Sequence, residues 1–558
     1  MTNKNIDKIK KVAANLLAAI IMVLTKFHFE LFSYASRSYG AEVVRSFRRG
    51  THSLSRNNSK FLLQNIRTMS SSSNPNAEAG SGKALTIDNL NPNVKALEYA
   101  VRGPLVIRAG EIEKEIEKGA QKPFKSVVRA NIGDAHAMAQ QPISFIRQVL
   151  ACVTCPSLIE TSSFPEDVKA RAKEILSACG GGSVGAYTAS HGIEMIRRNV
   201  AAYIAKRDGH PSHWENVCLC AGASTGIKNV LQLFCNDIDG KKSGIMIPIP
   251  QYPLYSASLA EYGLAPVSYY LDEARGWGLS AAELRRSYAE AAERCNVRAI
   301  VVINPGNPTG QVLSRENIES IVKFAHEKKL FIFADEVYQH NVYAEGSQFY
   351  SFKKVITEMG PPYNKLELAS FMSASKGYMG ECGIRGGWME LMNLDPGVQA
   401  NLYKAMSAML CPSAIGQTVM DCVAREPAPG DPSYELFAKE KAHVLESLAL
   451  RAQMIYETFN SMEGFSCNVV QGAMYAFPQI KLPPRAVQAA QEQGMKPDVF
   501  YAFRLLEETG ICIIPGSGFG QKPGTWHFRT TILPQPELLK EMLQVFQKFH
   551  AKFTKEYS

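Results

Sequence analysis

At 558 residues, with 46% hydrophobic and 20% charged side chains, the chain is long enough for two or more cored domains and too apolar for a disordered polymer. The net charge of +9 hints at nucleic acid until it is located: residues 1–75 hold 12 Lys/Arg against 3 Asp/Glu, so the rest is close to neutral and no nucleic-acid-binding body is expected. The twelve cysteines, scattered through apolar runs such as Val217-Cys218-Leu219-Cys220 and Ile511-Cys512-Ile513, fit reduced, buried thiols in a cytosolic or matrix compartment.

In chain order, the apolar run 12–24 follows Lys4, Lys8, Lys10 and Lys11, as in a secretory signal, and is short for a membrane span of about 20 residues. Arg37, Arg45, Arg48, Arg49, Arg56 and Arg67 then alternate with Ser among few acids, the composition of an organelle transit peptide. The Arg/Ser stretch and the free thiols favour mitochondrial targeting over secretion, with no stable membrane insertion. Met69 opens a Ser-rich linker, so a start there would give a cytoplasmic form. A single Cys-x-x-Cys, Cys152 and Cys155, has no second pair and no His at ligand spacing; it reads as core packing, and no metal is expected.

From about residue 85, short apolar runs alternate with amphipathic helices. Ile193, Ile196, Val200 and Ile204 share one helical face, as do Ile227, Val230, Leu231 and Phe234. Strands are expected at 244–249, 299–303, 330–334 and 368–372, and Ser314 is a plausible N-cap for a helix carrying Ile318, Ile321, Val322 and Phe324. Strands separated by helices imply a mostly parallel sheet covered on both faces, with ligands at the strands' carboxyl ends. From about 415 onward the pattern mixes helices and strands, as in a smaller domain.

Polar motifs punctuate that alternation. Gly222-Ala223-Ser224-Thr225-Gly226 follows a strand and opens a helix, where free N–H groups and the helix dipole favour a phosphate; an ordinary N-cap reads the same way. Asn304-Pro305-Gly306-Asn307-Pro308-Thr309-Gly310 is a rigid turn that can present the Asn307 amide to a ligand oxygen. Asp335 closes a strand, where it either caps a helix or pairs with a protonated ring nitrogen, with Tyr338 three residues on. In Ser373-Ala374-Ser375-Lys376-Gly377, Lys376 is either a surface lysine or an amine whose pKa partial desolvation lowers, ready to form a Schiff base. Arg385 with Ser373 could complete a phosphate site. Arg529, in the β-like run Trp526-His527-Phe528-Arg529-Thr530-Thr531, matches a carboxylate, though a surface strand residue would look alike.

Taken together, the phosphate turn, Asn-Pro loop, Asp-Tyr pair, lysine and arginine stand in the order of the class-I aminotransferases, pyridoxal-phosphate (PLP) enzymes of fold type I, which residues 85–555 resemble. The run 376–387, Asn131-Ile132-Gly133-Asp134, Gly185-Ala186-Tyr187-Thr188 and Pro248-Ile249-Pro250-Gln251-Tyr252-Pro253-Leu254-Tyr255 are similar to the alanine aminotransferase branch of that family. The resemblance implies an α/β protein: a targeting segment (1–75), an arm with part of a small domain (76–130), a large PLP-binding domain with a mostly parallel sheet flanked by helices (131–415) and a small α+β domain (416–558). It implies that Lys376 holds pyridoxal 5'-phosphate, Asp335 pairs with its ring nitrogen, Asn307 and Tyr338 meet the ring oxygen and Tyr252 stacks on the ring. Ala223, Ser224, Ser373 and Arg385 would hold the phosphate, joined by Tyr187 from the other subunit of a homodimer, and Arg529, beside Asn307, would grip the substrate carboxylate. The implied reaction moves the amino group of L-alanine to 2-oxoglutarate, giving pyruvate and L-glutamate. Lys376 and Arg385 lie nine positions apart, one more than is usual in the broader class, an extra residue the alanine branch shares. The rival readings are a glutamate–glyoxylate aminotransferase or a PLP-dependent β-lyase on the same fold, and a ligand-sensing module that has lost catalysis.

Overall fold

The computed structural model describes residues 83–558. The expected leader, the apolar run 12–24 and the alternative start at Met69 lie outside the described residues. The chain divides into Met1–Leu90 and Asn91–Ser558. Of the first unit, residues 83–90 carry a turn in which Thr86 N donates to Asn89 Oδ1 at 2.7 Å. Everything below concerns the second unit.

Seven strands form its main sheet: β1 (Val217–Cys220), β2 (Ser243–Ile249), β3 (Ala265–Tyr270), β4 (Asn296–Ile303), β5 (Phe331–Asp335), β6 (Leu368–Ser373) and β7 (Gly387–Met392). Their spatial order is β1-β7-β6-β5-β4-β2-β3. Neighbours pair in parallel except around β7, which runs antiparallel to both β1 and β6. The four expected strands are present within a residue or two at each end, save that β4 begins three residues earlier, at Asn296.

These strands are apolar throughout because both faces are covered. On β4, Ala299, Val301 and Ile303 enter one buried cluster and Ile300 and Val302 the other; β5 divides likewise, Phe331 and Phe333 against Ile332 and Ala334. Each of the valines, isoleucines and phenylalanines among them contributes about 1.5–3 kcal/mol on burial, which fixes strand register and hence the residues that emerge at the sheet's rim.

The expected helices are present too. Glu194–Asp208 buries Ile196, Val200 and Ile204, and Arg315–Lys328 buries Ile318, Ile321, Val322 and Phe324 behind Ser314, whose side chain accepts from Asn317 N. Ala223–Leu231 buries Ile227, Val230 and Leu231, and Phe234 follows in a 3-10 turn. The cysteines depart from expectation: eight are buried, but Cys155 and Cys235 are exposed, so only Cys152 of the Cys-x-x-Cys pair packs into the core. Cys155 closes its helix at the surface with Ser157 Oγ near its thiol. Among the described residues no helix is long and apolar enough to cross a membrane.

The C-terminal region adds β8 (Phe465–Ser466), β9 (Tyr475–Ala476), β10 (Gln479–Ile480), β11 (Ile514–Pro515) and β12 (Phe528–Thr531) between the long helices Tyr434–Asn460 and Pro536–Tyr557. β11, β12 and β9 form an antiparallel sheet with Arg529 and Tyr475 on it. The N-terminal arm joins this region by backbone pairing: Val128 N donates to Gly510 O, Cys512 N to Val128 O and Thr531 N to Ala130 O, at 2.8–3.0 Å.

Candidate active site

A cavity of about 420 Å³ opens where the carboxyl ends of the parallel strands meet β12 and the arm. The topology explains what reaches it. Helix Ala223–Leu231 begins there after β1, Asn307 follows β4, Asp335 ends β5 and Ser373 ends β6. Because β7 runs backwards, its start lies at the same rim, which brings Arg385 next to the Lys376 loop.

One end of the cavity is built for an anion. The first helical turn at Ala223 and Ser224 has no side-chain cap at Gly222, and the earliest N–H groups of a helix have no intrahelical acceptor. Arg385 reaches across it: Nη2 donates to Ala221 O and Ser224 Oγ, both at 3.3 Å, while Nη1 donates to Cys382 O at 2.9 Å and Ser375 Oγ at 3.4 Å. Ser373 Oγ donates to Ser375 Oγ at 3.0 Å and accepts from Ser375 N at 3.1 Å. Gly222 holds φ 80°, and a Cβ there would run into the Arg385 guanidinium, so glycine is required on both counts.

At the centre stand the carboxylate and the amine. Asp335 is 4% exposed, and Tyr255 donates to its Oδ2 at 2.9 Å. Its Oδ1 is buried with no hydrogen-bond partner among the described residues. Burial pushes the carboxyl up to about 6, against the pull of the Tyr255 hydroxyl, a backbone N–H and Lys376. Lys376 Nζ donates to Gly133 O at 2.6 Å and lies 5.9 Å from the Tyr338 ring centre. The expectation of a lowered lysine pKa is not met. Burial does pull it down and is the largest single influence, but the neighbouring Tyr475 phenol and Cys382 thiol outweigh it and the net direction is upward.

The far end is made by remote segments. Arg529, 1% exposed, donates from Nη1 to Asn307 Oδ1 at 3.1 Å and from Nη2 to Asn131 O at 2.7 Å, and its guanidinium lies 4.1 Å from the Tyr475 ring centre. Asn307 Nδ2 donates to Tyr338 OH at 3.3 Å, and Tyr338 OH to Tyr475 OH at 3.4 Å. Burial pushes the Tyr475 phenol up, yet Lys376 and Arg529 together hold it below its ordinary range. A Cβ on Gly133 would strike the Tyr475 hydroxyl and come within 3.1 Å of Lys376 Nζ, so only glycine lets the arm lie over the amine.

Ala223, Ser224, Tyr252, Asn307, Asp335, Tyr338, Ser373, Lys376, Arg385 and Arg529 all line this one cavity. Tyr187 does not; it is 79% exposed on the surface of its own chain. Sequence reasoning missed Tyr255, Tyr475 and Arg102. Tyr255 lay in sight, three residues past Tyr252, in the first turn of the helix Leu254–Tyr262 that follows it. Tyr475 and Arg102 follow no motif and are brought in only by packing. Arg102 lines the cavity on the arm and forms no ion pair among the described residues.

The unpartnered Oδ1 of Asp335 suits a protonated ring nitrogen, the capless helix start with Arg385 suits a phosphate, and Lys376 in the same cavity suits an aldehyde. The donor set therefore fits pyridoxal 5'-phosphate. Comparison with known proteins points the same way. Residues 157–546 match the family model for aminotransferase class I and II. The chain is 57% identical over 478 residues to alanine aminotransferase 1 of Homo sapiens, covering 85% of this chain and 96% of that one. It is 47% identical over 486 residues to the probable alanine aminotransferase, mitochondrial, of Dictyostelium discoideum, covering 85% and 90%. An aminotransferase from Escherichia coli shares the fold with a TM-score of 0.65 at 23% identity, covering 83% of this chain and 98% of that one.

Proposed function

The chain belongs to the class I and II aminotransferases, and on that premise we propose how its residues divide the work of an alanine aminotransferase. It moves the amino group of L-alanine to 2-oxoglutarate, giving pyruvate and L-glutamate, with pyridoxal 5'-phosphate as cofactor. The observation that carries the division is the buried, unpartnered Oδ1 of Asp335 in the same cavity as Lys376 and Arg529. The glutamate–glyoxylate and β-lyase alternatives are not favoured, since the similar relatives are named for alanine.

When bound, the cofactor supplies an aldehyde and an electron-withdrawing ring that stabilises charge at the carbon next to nitrogen. In our reading Lys376 Nζ anchors it and, once freed, is the base that takes the proton from the substrate Cα. An amine held upward must shed its own proton first, and Tyr475, which lines the same cavity with its phenol held downward by the same lysine and Arg529, is suited to share it. Asp335 Oδ1 holds the ring nitrogen's proton while Tyr255 fixes the other carboxylate oxygen. Ala223, Ser224, Ser373 and Arg385 would hold the phosphate, Tyr252 would pack on the ring, and Asn307 and Tyr338 would meet its oxygen. Arg529 exchanges the Asn131 carbonyl for the substrate α-carboxylate, and Arg102 is the second cation for the distal carboxylate of 2-oxoglutarate and glutamate.

A homodimer is part of this proposal: exposed Tyr187 would complete the partner's phosphate site. So is the division into an arm, a large domain and a small domain, which the pairing of Val128 with Cys512 supports by tying arm to C-terminal region. Mitochondrial targeting rests on the Arg/Ser leader and on the name of the Dictyostelium relative; N-terminal sequencing of the mature protein tests it, and an intact Met1 would refute it. The activity itself is tested by incubating purified protein and cofactor with alanine and 2-oxoglutarate and following pyruvate. Pyruvate formation strictly dependent on the oxo-acid is expected; ammonia release without it would replace this reading with a lyase.

A further inference from the structure

A second, smaller cavity of about 100 Å³ lies between loop 139–142 and one face of the helix Tyr434–Asn460, and shares no lining residue with the first. At its inner end sits Arg451, 2% exposed. Nε donates to Ser447 O at 3.0 Å, and Nη1 to Leu533 O at 2.6 Å and Pro534 O at 3.3 Å. All three acceptors are uncharged carbonyls. Nη2 has no hydrogen bond and the guanidinium no ion pair among the described residues. The acid on this wall, Glu440, lies eleven positions earlier on the helix, about 16 Å along its axis at 1.5 Å per residue. Glu440 is engaged by Ser144 N at 2.8 Å and Ser144 Oγ at 2.5 Å.

A second group faces the same space. Gln140, 8% exposed, donates from Nε2 to Tyr378 O at 2.9 Å, and its Oε1 is buried without a partner. A buried charge is ordinarily neutralised by a counter-charge, because leaving it bare in a low-dielectric interior costs several kcal/mol. Here the protein offers the cation, a cavity and an idle acceptor, while the one carboxylate on the wall, Glu440, is engaged by Ser144 and makes no ion pair with Arg451.

We propose that Arg451 binds a small monovalent anion of halide size in this cavity, with a water bridging to Gln140 Oε1. At about 30 Å³ per water the space admits such an ion with one or two waters and little more. One cation at the inner end balances one negative charge. The site touches the back of both halves of the active cavity: Arg451 holds the carbonyl of Leu533, just beyond β12 and Arg529, and Gln140 holds that of Tyr378, two residues past Lys376. An ion seated there stiffens both supports.

The proposal does not depend on the aminotransferase reading. Crystals of the holoenzyme soaked in sodium bromide and measured at the bromine edge should show an anomalous peak within hydrogen-bond distance of Arg451 Nη2. Peaks confined to the cavity of Arg529 and Arg385, or water alone beside Arg451, would overturn it. In solution, replacing gluconate by chloride at fixed ionic strength should raise the melting temperature of the holoenzyme by about 1 °C or more. Arg451→Gln should lose that increment; an equal increment in the variant would also overturn the proposal. If the variant does not fold, the diffraction measurement on the natural chain still decides.

Discussion

The two ends of the active cavity are built on different plans. The cofactor end is made of residues at the ends of adjacent strands, so the sheet's register alone delivers Ala223, Asp335, Ser373 and Lys376 to one rim. The substrate end is made by remote segments: Arg529 bonds Asn131 across 398 positions and lies over the ring of Tyr475 from β9. The first is a property of topology and tolerates repacking of the C-terminal region. The second exists only when arm, large sheet and C-terminal sheet are all in place.

Substitutions can break or sharpen that contrast. The largest effect is expected from Lys376→Ala, which should abolish turnover together with the visible absorbance of the anchored cofactor; retained absorbance would move the anchor elsewhere. Arg529→Ala should leave cofactor binding intact and lower kcat/KM for alanine and glutamate alike by roughly 30- to 5,000-fold, since losing a buried charge partner costs about 2–5 kcal/mol. If it abolished cofactor binding instead, the two ends would not be separable. Asp335 gives a pH signature in the cofactor-free protein. Its folded-state pKa of about 6 lies above the usual 3.8, so the folded protein binds the extra proton. Stability should therefore fall as pH rises from about 4 to about 6, by up to roughly 3 kcal/mol. Asp335→Asn should flatten that slope in urea midpoints, and an unchanged slope would clear Asp335 of it. The smallest effect belongs to Tyr255→Phe. It removes one hydrogen bond to a charged oxygen, about 1.5 kcal/mol, so kcat should fall roughly tenfold while KM for alanine stays near its value; a change confined to KM would place Tyr255 at the substrate end.

The same contrast explains what could be read in the sequence. β4, β5 and β6 announce themselves as short apolar runs; β5 and β6 end in the polar residue that the cavity uses, and Asn307 follows β4 within four residues. The order of those motifs was legible because strand ends project side chains to one rim whatever the distant packing. Arg529 was legible only through resemblance, since a lone arginine in a β-like run carries no signature. Tyr475 and Arg102 were invisible, because their neighbours are set by tertiary contact rather than spacing. The direction of the lysine's pKa shift was missed for the same reason: burial is foreseeable from a strand end, but the phenol beside it comes from β9, 99 residues on, where sequence alone gives no sign of the approach.

The pairing of Val128 with the segment 510–512 also sets a timetable. The arm is among the first ordered segments to leave the ribosome, and its backbone partners are among the last. Until translation is nearly finished, Ala130 and Asn131 lack their partners Thr531 and Arg529, so the substrate end stays incomplete while the large sheet is already able to form. Nascent chains stalled short of residue 510 should therefore load the cofactor without being able to enclose a substrate.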